Sequence, residues 1–393
     1  MPLLLLLVGC LGLNPRAVPT QDIYADDGEI KEWKESLQFA VLGDVRPAFP
    51  GEAQAKGRAE VPGTTAALVE DLSSEIQAER VRFAVFMGNM VRTSSTAEWK
   101  SFAKSFGLVL SGSELPEMGK VRVRSIPVAG SDDRAGDERL NGWGAAFPGA
   151  GADIGYNRVA SWYAFDVDVK GHAWRIIVLD SDRARLGSRW DEQIAWIPKG
   201  MDGSYESALI FMHHPFITLA EGGVSNEGGA PGELIEAVED ATKLGAVKAI
   251  FAGHSGTNEV FLPTGKFGEL YINAGNAGAP AASLQRWGHA EGAKLKDVKI
   301  ETIYDLALMR EFDRWSEPRK FSQNVLEHAK ADGTYKGFEG VYDAHAFPVQ
   351  GWWNVSVEGQ SLAITFRMVG EDGHLKDIWT AQYEGKAGWK IGG

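Results

Sequence analysis

The sequence predicts an α/β (α+β) fold, in which one mixed β-sheet or two stacked sheets are flanked by helices. Five apolar runs each end in a small polar cluster, as buried strands do when they carry functional groups at their carboxyl ends. Segments of helical periodicity separate several of these runs, and alternating strands close the chain. The five runs are 37–46, 81–89, 125–133, 207–215 and 246–256. We therefore expect their polar ends to converge on one site.

The remaining elements follow from the spacing of apolar residues. Helical spacing predicts helices over 64–80, 95–106, 190–197 and 233–244. Alternation predicts a hairpin from 161–169 and 173–182, and a further strand at 269–273. The glycine-rich stretch 132–157 reads as one long loop beside the site.

The chain of 393 residues suits one large domain with insertions or two domains. Residues 27–282 carry the strand and helix pattern of the main domain. Residues 283–345 are charged and helical in pattern, so we expect a helical insertion or cap near the C-terminus. Residues 346–393 contain alternating strands that would complete the main domain with antiparallel sheet.

The charge composition limits the kinds of ligand that the protein can be expected to bind. The formal net charge of −13 argues against a nucleic-acid binder, which would normally present a basic surface. A small anion remains compatible with this charge, because a metal ion or an arginine can invert the field of a site.

The first 26 residues resemble a secretion signal followed by a polar tether. The apolar run MPLLLLLVGCLGL is shorter than the roughly 20 residues that span a bilayer. It contains the one cysteine of the chain, Cys10, within a sequence that resembles a bacterial lipoprotein box. We expect lipidation at Cys10 and an extracytoplasmic protein anchored to a bacterial membrane. A departure is that no Lys or Arg precedes the run; an apolar strand or a plainly cleaved signal are the alternatives.

The strand ends, taken in order, read GDVR, GN, GSDD, HHP and GHSG. They resemble the motifs D-x-H, G-D, G-N-H-D/E, H-x-P and G-H-x-H of the calcineurin-like metallophosphoesterases, a family that includes purple acid phosphatases. The resemblance covers residues 37–280 and the final strands. It implies a four-layer sandwich of two mixed β-sheets flanked by helices. It also implies phosphoester hydrolysis at a pair of metal ions, which clamp the phosphoryl group.

Several positions depart from the family's metal ligands. Where the family has a ligand or a catalytic histidine, this chain has Arg46, Asn89, Ser131, Asp132 and Gly256. The positions that match are Asp44, His213 and His254. Because Asn89 replaces the carboxylate that bridges the two ions, we do not expect a dinuclear centre.

The resemblance assigns the remaining residues to roles. A single divalent ion (Zn, Mn or Fe) would take His213, His254 and a carboxylate from Asp44 or Asp132. Candidate catalytic residues are Asp132, Asp133 and the additional histidine His214. Candidate phosphate-binding residues are Arg46, Asn89 and Ser131, since a guanidinium matches phosphate oxygens bidentately.

Structural roles are the alternatives for the same residues. His213 and His254 can be buried, hydrogen-bonded histidines that the fold retains. Asp44 and Arg46 can form an ion pair, an arrangement we favour over a metal at Asp44. Asp132 and Asp133 can form a solvated turn. The replacements make the pocket less negative, as expected of a site rebuilt to do without two metals, so we expect a metal-free pocket first and a single ion second.

Two functions remain open from the sequence. One is a phosphoester hydrolase of weak or altered activity. The other is a catalytically inactive, lipid-anchored pseudophosphatase that binds an anionic ligand or a partner protein. Metal content distinguishes them.

Overall fold

We describe the fold from a computed structural model of the chain. The residues that the structure describes are 32–33, 36–45, 68, 70–72, 74–75, 81, 83–106, 124–147, 161–203, 205–216, 218, 232–241, 246–263, 269–275, 277, 342–347, 350–369 and 375–392.

Within these residues the first sheet has eight strands. In order across the sheet they are β1 (Glu32–Trp33), β5 (Tyr163–Val169), β6 (His172–Val178), β7 (Ser207–Met212), β8 (Val247–Ala252), β10 (Leu270–Ala274), β9 (Asn258–Pro263) and β11 (Tyr342–Phe347). Its centre is parallel, because β6, β7, β8 and β10 run in one direction. The carboxyl ends of these strands therefore lie along one edge of the sheet.

The second sheet has seven strands within the same described residues. In order they are β15 (Trp389–Gly392), β14 (Leu375–Glu384), β13 (Ser361–Val369), β12 (Gly351–Glu358), β2 (Leu37–Leu42), β3 (Phe83–Phe86) and β4 (Arg124–Pro127). The strands β2, β3 and β4 are parallel, whereas β12 to β15 form an antiparallel meander joined to β2. The predicted closing strands thus complete the sheet in which the chain begins its parallel run.

The two sheets pack face to face, and helices cover their outer faces. The helices are α1 (Thr96–Ser105), α2 (Asn141–Ala146), α3 (Arg183–Leu186), α4 (Arg189–Gly200) and α5 (Gly232–Ala241), and residues 68–75 are also helical where described. One hydrophobic cluster fills the space between the sheets and includes residues of both. Two further clusters pack α4 and α5 on the first sheet, and α1 and α2 on the second. This is the predicted four-layer sandwich.

The strand sequences explain their places. In β5 every second residue is buried, because Tyr163, Phe165, Val167 and Val169 face the inter-sheet core. In β7 all six residues are buried, since this parallel strand is covered on both faces. The helix α1 begins after Ser95, whose hydroxyl accepts from the backbone N–H of Glu98, as its sequence predicts.

The structure corrects three details of the sequence interpretation. The strand β9 was not predicted. The stretch 132–157 is not a plain loop, because it contains a 3₁₀ turn at Asp132–Arg134 and the helix α2. The strand β11 begins at Tyr342, inside the predicted helical insertion, and pairs with β9 rather than with the other closing strands. The rest of the insertion lies outside the described residues, and no described helix is long and apolar enough to cross a membrane.

Candidate metal centre

Polar residues that follow strands of both sheets meet at one end of the sandwich. His213 follows β7 of the first sheet, and its Nδ1 atom lies 2.7 Å from the backbone oxygen of Met87, which follows β3 of the second sheet. Tyr163 of the first sheet similarly donates from its hydroxyl to the backbone oxygen of Pro127 in β4. The predicted convergence of the strand ends therefore holds for both sheets.

Three of the strand ends carry a non-glycine residue in the left-handed backbone region. These residues are Asp44 after β2 (φ 40°), Asn89 after β3 (φ 52°) and His254 after β8 (φ 65°). Backbone of this kind costs about 1–3 kcal/mol per residue and collects at functional sites. Their gathering at one edge supports a functional rather than a purely structural edge.

Three histidines form a cluster at this edge. The potential ligand atoms of His213, His214 and His254 all lie within 4.8 Å of one another, and among the described residues this is the one such group of three or more. The ring centroids of the three pairs are 4.8 to 5.0 Å apart. His213 and His214 are buried, whereas His254 is partly exposed, so the cluster opens to solvent on the His254 side.

His213 is held with one nitrogen toward the cluster. A carbonyl oxygen only accepts, so Nδ1 of His213 donates to Met87. Its Nε2 atom lies 3.1 Å from Nδ1 of His254. Gly88 and Gly253 make room for the ring, because a Cβ atom at either would lie 2.5 or 3.3 Å from Nδ1 of His213.

His214 is held by Ser181, which follows β6. The Ser181 hydroxyl oxygen accepts from the backbone N–H of His214 at 2.7 Å and lies 2.9 Å from its Nδ1 atom. Burial, the electrostatic effect of His254 and the charge of Arg134 lower the pKa of His214 to about 3. The imidazole is therefore neutral at physiological pH and keeps a lone pair for a ligand.

Asn89 occupies the position at which the resembled family has its bridging carboxylate. The side chain is fully buried, and its Oδ1 atom accepts from the backbone N–H of Asp132 at 2.9 Å. The hydroxyl of Ser131 lies 3.5 Å from the same oxygen. Its Nδ2 atom has no hydrogen-bond partner among the described residues. Asn89 thus presents a neutral donor where a carboxylate would bind two cations.

Asp133 joins two strand-end segments of the second sheet. One carboxylate oxygen accepts from the backbone N–H groups of Met90 and Val91, and the other accepts from Gly130. Burial raises the pKa of Asp133 to about 7, against these three donors, which lower it. These donors engage both carboxylate oxygens, so Asp133 holds the two loops together, and the catalytic role suggested by the sequence stays a prediction.

A buried ion pair connects the two sheets beside the cluster. Arg134 follows β4 of the second sheet, and its guanidinium donates to the carboxylate of Asp180, which follows β6 of the first. Both side chains are almost fully buried. Gln193 of α4 makes two further hydrogen bonds of 2.7 Å with the backbone N–H and oxygen of Asp180.

The three histidines fit a single transition-metal ion. Imidazole nitrogens bound to tetrahedral zinc at about 2.0–2.1 Å lie roughly 3.3 Å apart, close to the 3.1 Å between Nε2 of His213 and Nδ1 of His254. The Nδ1–H of His213 on a carbonyl is the outer contact that metal-bound histidines usually make. Among the described residues the cluster includes no carboxylate, so it offers a second ion no carboxylate ligand.

The structure changes the membership of the predicted site. His213 and His254 lie together, as expected, and the third potential ligand in the cluster is His214, whereas the sequence suggested a carboxylate from Asp44 or Asp132. Asp44 is buried at the end of β2 and does not belong to the cluster. Ser131 and Asp132 are partly exposed and contact Asn89. Arg46 and Cys10 lie outside the described residues, so the ion pair with Asp44 and the lipidation remain predictions.

The sequence analysis did not predict site roles for Ser181, Arg134 and Asp180. For Asp180 and Ser181 a pattern was present, because they lie in LDSD, where another apolar run ends in small polar residues after β6. Arg134 carries no such signal, since it lies one residue beyond the motif-like GSDD stretch.

A phosphatase of known structure has the same fold. The purple acid phosphatase PPD1 from seeds of yellow lupin (Lupinus luteus) matches at a TM-score of 0.52 and 14% identity, over 89% of this chain and 54% of that one. This chain thus spans about half the length of the lupin enzyme. A dimetal phosphatase from Danio rerio matches at a TM-score of 0.47 and 13% identity, over 88% and 98%. No protein-family model matches the sequence, and no curated protein matches it significantly.

A further structure with this fold is GAP50, described as the anchor in the inner membrane complex of Plasmodium. It matches at a TM-score of 0.51 and 14% identity, over 88% of each chain. At these identities the likeness shows the fold alone. The predicted calcineurin-like metallophosphoesterase fold, with its two mixed sheets, is therefore confirmed, and function must be argued from the site.

Proposed function

We propose that this chain, which has the calcineurin-like metallophosphoesterase fold, holds one divalent metal ion on His213, His214 and His254. We propose that it binds a phosphoester or another small anion beside that ion. Hydrolysis is weak or altered relative to that of a two-metal phosphatase. The observation that carries this proposal is the cluster of three imidazoles with no carboxylate among them, next to a buried Asn89.

The chemistry of the donors supports one ion. Imidazole ligands suit zinc, iron and other first-row metals, whereas Mg²⁺ and Ca²⁺ prefer oxygen ligands. When bound, such an ion supplies a Lewis acid toward a phosphoryl oxygen. The partly exposed His254 leaves the cluster open on one side for a ligand. The sequence alone favoured a pocket without metal. With His214 as a third potential ligand, we favour a pocket that binds one metal ion.

The neighbouring residues support an anion as the ligand. Asn89 has a buried Nδ2 donor without a partner among the described residues, and the hydroxyl of Ser131 lies next to its side chain. Arg46 follows Asp44 by two residues in the sequence, and its guanidinium carries a permanent positive charge that would attract an anion. These groups can hold an anion without activating water, which is why binding is proposed as the main activity.

The experiment is anion binding measured with and without metal. Calorimetry with inorganic phosphate and with an aryl phosphate should show binding to zinc-loaded protein and little to protein stripped by a chelator. Turnover of the aryl phosphate should be slow and should disappear in His254→Ala. Equal binding in the stripped protein, or turnover as fast as that of a two-metal phosphatase, would refute the proposal.

A second candidate function is that of a non-catalytic anchor or scaffold. The observation that favours it is the likeness over 88% of both chains to GAP50, the anchor in the inner membrane complex of Plasmodium. The proposed lipidation of Cys10 and an extracytoplasmic location on a bacterial membrane agree with this function. Mass spectrometry of membrane-extracted protein tests the anchor, because Cys10→Ala should abolish both the lipid mass and the membrane fraction.

A further inference from the structure

A fully buried carboxylate lies at the edge of the first sheet that carries the histidine cluster. Glu259 is the second residue of β9, and it pairs with Asn273, the residue before the end of β10. Burying a carboxylate costs free energy unless hydrogen-bond donors replace the water that it loses. The donors around Glu259 therefore indicate what its burial achieves.

Three side chains from three segments donate to this carboxylate. The hydroxyl of Thr218, in the loop after β7, donates to Oε1 of Glu259 at 2.8 Å. The hydroxyl of Thr257, in the turn after β8, donates to the same oxygen. The Nδ2 atom of Asn273 in β10 donates to Oε2 at 2.7 Å. All three donor residues are buried, so Glu259 joins these segments without competition from bulk water.

Two of the segments that this carboxylate joins are the loops of the cluster. The loop after β7 begins with His213 and His214 and continues to Thr218. The turn after β8 runs from His254 to Thr257. A shift of one loop against the other would change the distances between the imidazole nitrogens of the cluster.

The turn that carries His254 is held at its Thr257 end. The φ of His254 is 65°, and backbone of this kind persists where the surrounding contacts fix it. The backbone oxygen of Thr257 accepts from the hydroxyl of Ser255 at 3.0 Å and from the N–H of Gly275 at 3.0 Å. Together with the bond from Thr257 to Glu259, these contacts fix the turn to the end of β10.

We propose that Glu259 is a positioning residue that ties the loop of His254 to the loop of His213 and His214, and so keeps the three imidazoles at the spacing of metal ligands. Glu259 does not itself belong to the cluster of potential ligands. The inference deepens the proposed function and rests on it for the metal ion. The tie between the loops is a property of the metal-free protein as well, so the two claims can be tested separately.

Four variants test the tie. Glu259→Gln keeps the length of the side chain but replaces one acceptor oxygen by an amide that donates. Thr218→Val removes the donor in the loop after β7, whereas Thr218→Ser keeps a hydroxyl there. Thr365→Val is the matched control, because it removes a contact of 2.6 Å with the hydroxyl of Thr380 between β13 and β14, which carry no residue of the cluster.

The first readout is amide hydrogen exchange in metal-free protein. The backbone N–H of Gly253 donates to His213 at 2.8 Å and joins the two loops, and that of Gly275 donates to Thr257 at 3.0 Å. In Glu259→Gln both amides should exchange about tenfold faster, because the two loops open locally more often.

The amide of Leu179 is the internal reference for unfolding of the whole domain. It donates to Phe211 at 2.9 Å and joins the ends of β6 and β7. Its exchange should change less than that of Gly253 and Gly275. Unchanged exchange at these two glycines, or an equal increase at Leu179, overturns the inference whether or not metal binds.

The second readout is binding of Co²⁺, followed by its visible absorption. Glu259→Gln and Thr218→Val should weaken binding about tenfold, at the lower end of what contacts behind a metal ligand contribute. Thr218→Ser and Thr365→Val should match the wild type. If the exchange rates behave as expected but the wild type binds no cobalt, the tie stands and the proposed metal function fails. If cobalt binds equally to Glu259→Gln and the wild type, the inference fails and the metal function stands.

Discussion

The Arg134 guanidinium and the Asp180 carboxylate form a buried ion pair between the loop after β4 and the loop after β6. These loops belong to different sheets, so the pair links the two halves of the sandwich at the site. Next to Arg134, the Asp133 carboxylate accepts from the backbone N–H of Met90 in the loop after β3. Next to Asp180, the hydroxyl of Ser181 contacts the ring of His214. The histidine cluster therefore lies at the end of one connected set of buried polar contacts.

Breaking this pair on one side should be costly. Arg134→Met leaves Asp180 buried without its cation, and we expect a loss of about 3–5 kcal/mol in the free energy of unfolding, measured by urea denaturation. The double variant Arg134→Met with Asp180→Asn should recover part of this loss, because no unpaired charge remains. A single variant as stable as the wild type would show that the pair does not link the sheets energetically.

Removing the acceptor for three backbone donors should destabilise the loop after β3. Asp133→Ala leaves the N–H groups of Met90, Val91 and Gly130 buried without an acceptor, and each costs about 1–3 kcal/mol. We expect a total loss of at least about 3 kcal/mol in the same urea measurement. Asp137→Ala removes the acceptor for one partly buried backbone N–H, that of Gly142, so it is the control and should lose less. Equal losses would argue against the positioning role of Asp133.

Restoring a carboxylate at position 89 should strengthen metal binding. Asn89→Asp keeps the acceptor for Asp132 and places an oxygen where Nδ2 now lies. Without metal this buried charge should lower the melting temperature, and zinc should raise it by more than in the wild type, with affinity higher by about tenfold or 1.4 kcal/mol. Asn258→Asp adds a buried carboxylate elsewhere and should gain nothing from zinc. A metal response no larger in Asn89→Asp would mean that position 89 does not face the ion.

Acid should destabilise the metal-free protein through His214. The pKa of His214 is about 3 in the folded protein, against 6.5 for an ordinary histidine. Between these values the unfolded chain binds a proton that the folded protein does not, so stability falls as pH drops from about 6.5 to about 3. The slope from this group is at most about 1.4 kcal/mol per pH unit. His214→Gln should show a shallower slope in urea unfolding from pH 7 to pH 4. An equal slope in both proteins would mean that His214 is protonated when folded.

Most of the fold could be predicted from the sequence, because buried strands and amphipathic helices leave periodic patterns. The strand β7 is apolar throughout and β5 alternates, and both lie where predicted. The strand β9 was missed because Asn258 and Glu259 give it a polar start. Glu259 is nevertheless fully buried, since Thr218, Thr257 and Asn273 donate to its carboxylate. Such compensation depends on contacts distant in sequence and is not visible in a local pattern.

The sequence predicted only those site residues that occupy motif positions at the strand ends. The strand ends located His213, His254 and Asn89 correctly at one edge. They did not reveal that His214 turns its ring into the cluster, because that depends on Ser181, 33 residues earlier in the chain. They also did not reveal that both oxygens of Asp133 accept backbone N–H groups. The direction of a side chain depends on tertiary contacts, and the spacing of residues in the sequence does not specify these contacts.

The central claim is one metal ion on three histidines, and the metal-to-protein ratio tests it most directly. Protein incubated with excess zinc, desalted and analysed by mass spectrometry for metals should contain one zinc per chain. His214→Ala should contain almost none, and His172→Ala, outside the cluster, should match the wild type. Two ions per chain, or a ratio unaffected by His214→Ala, would contradict the account.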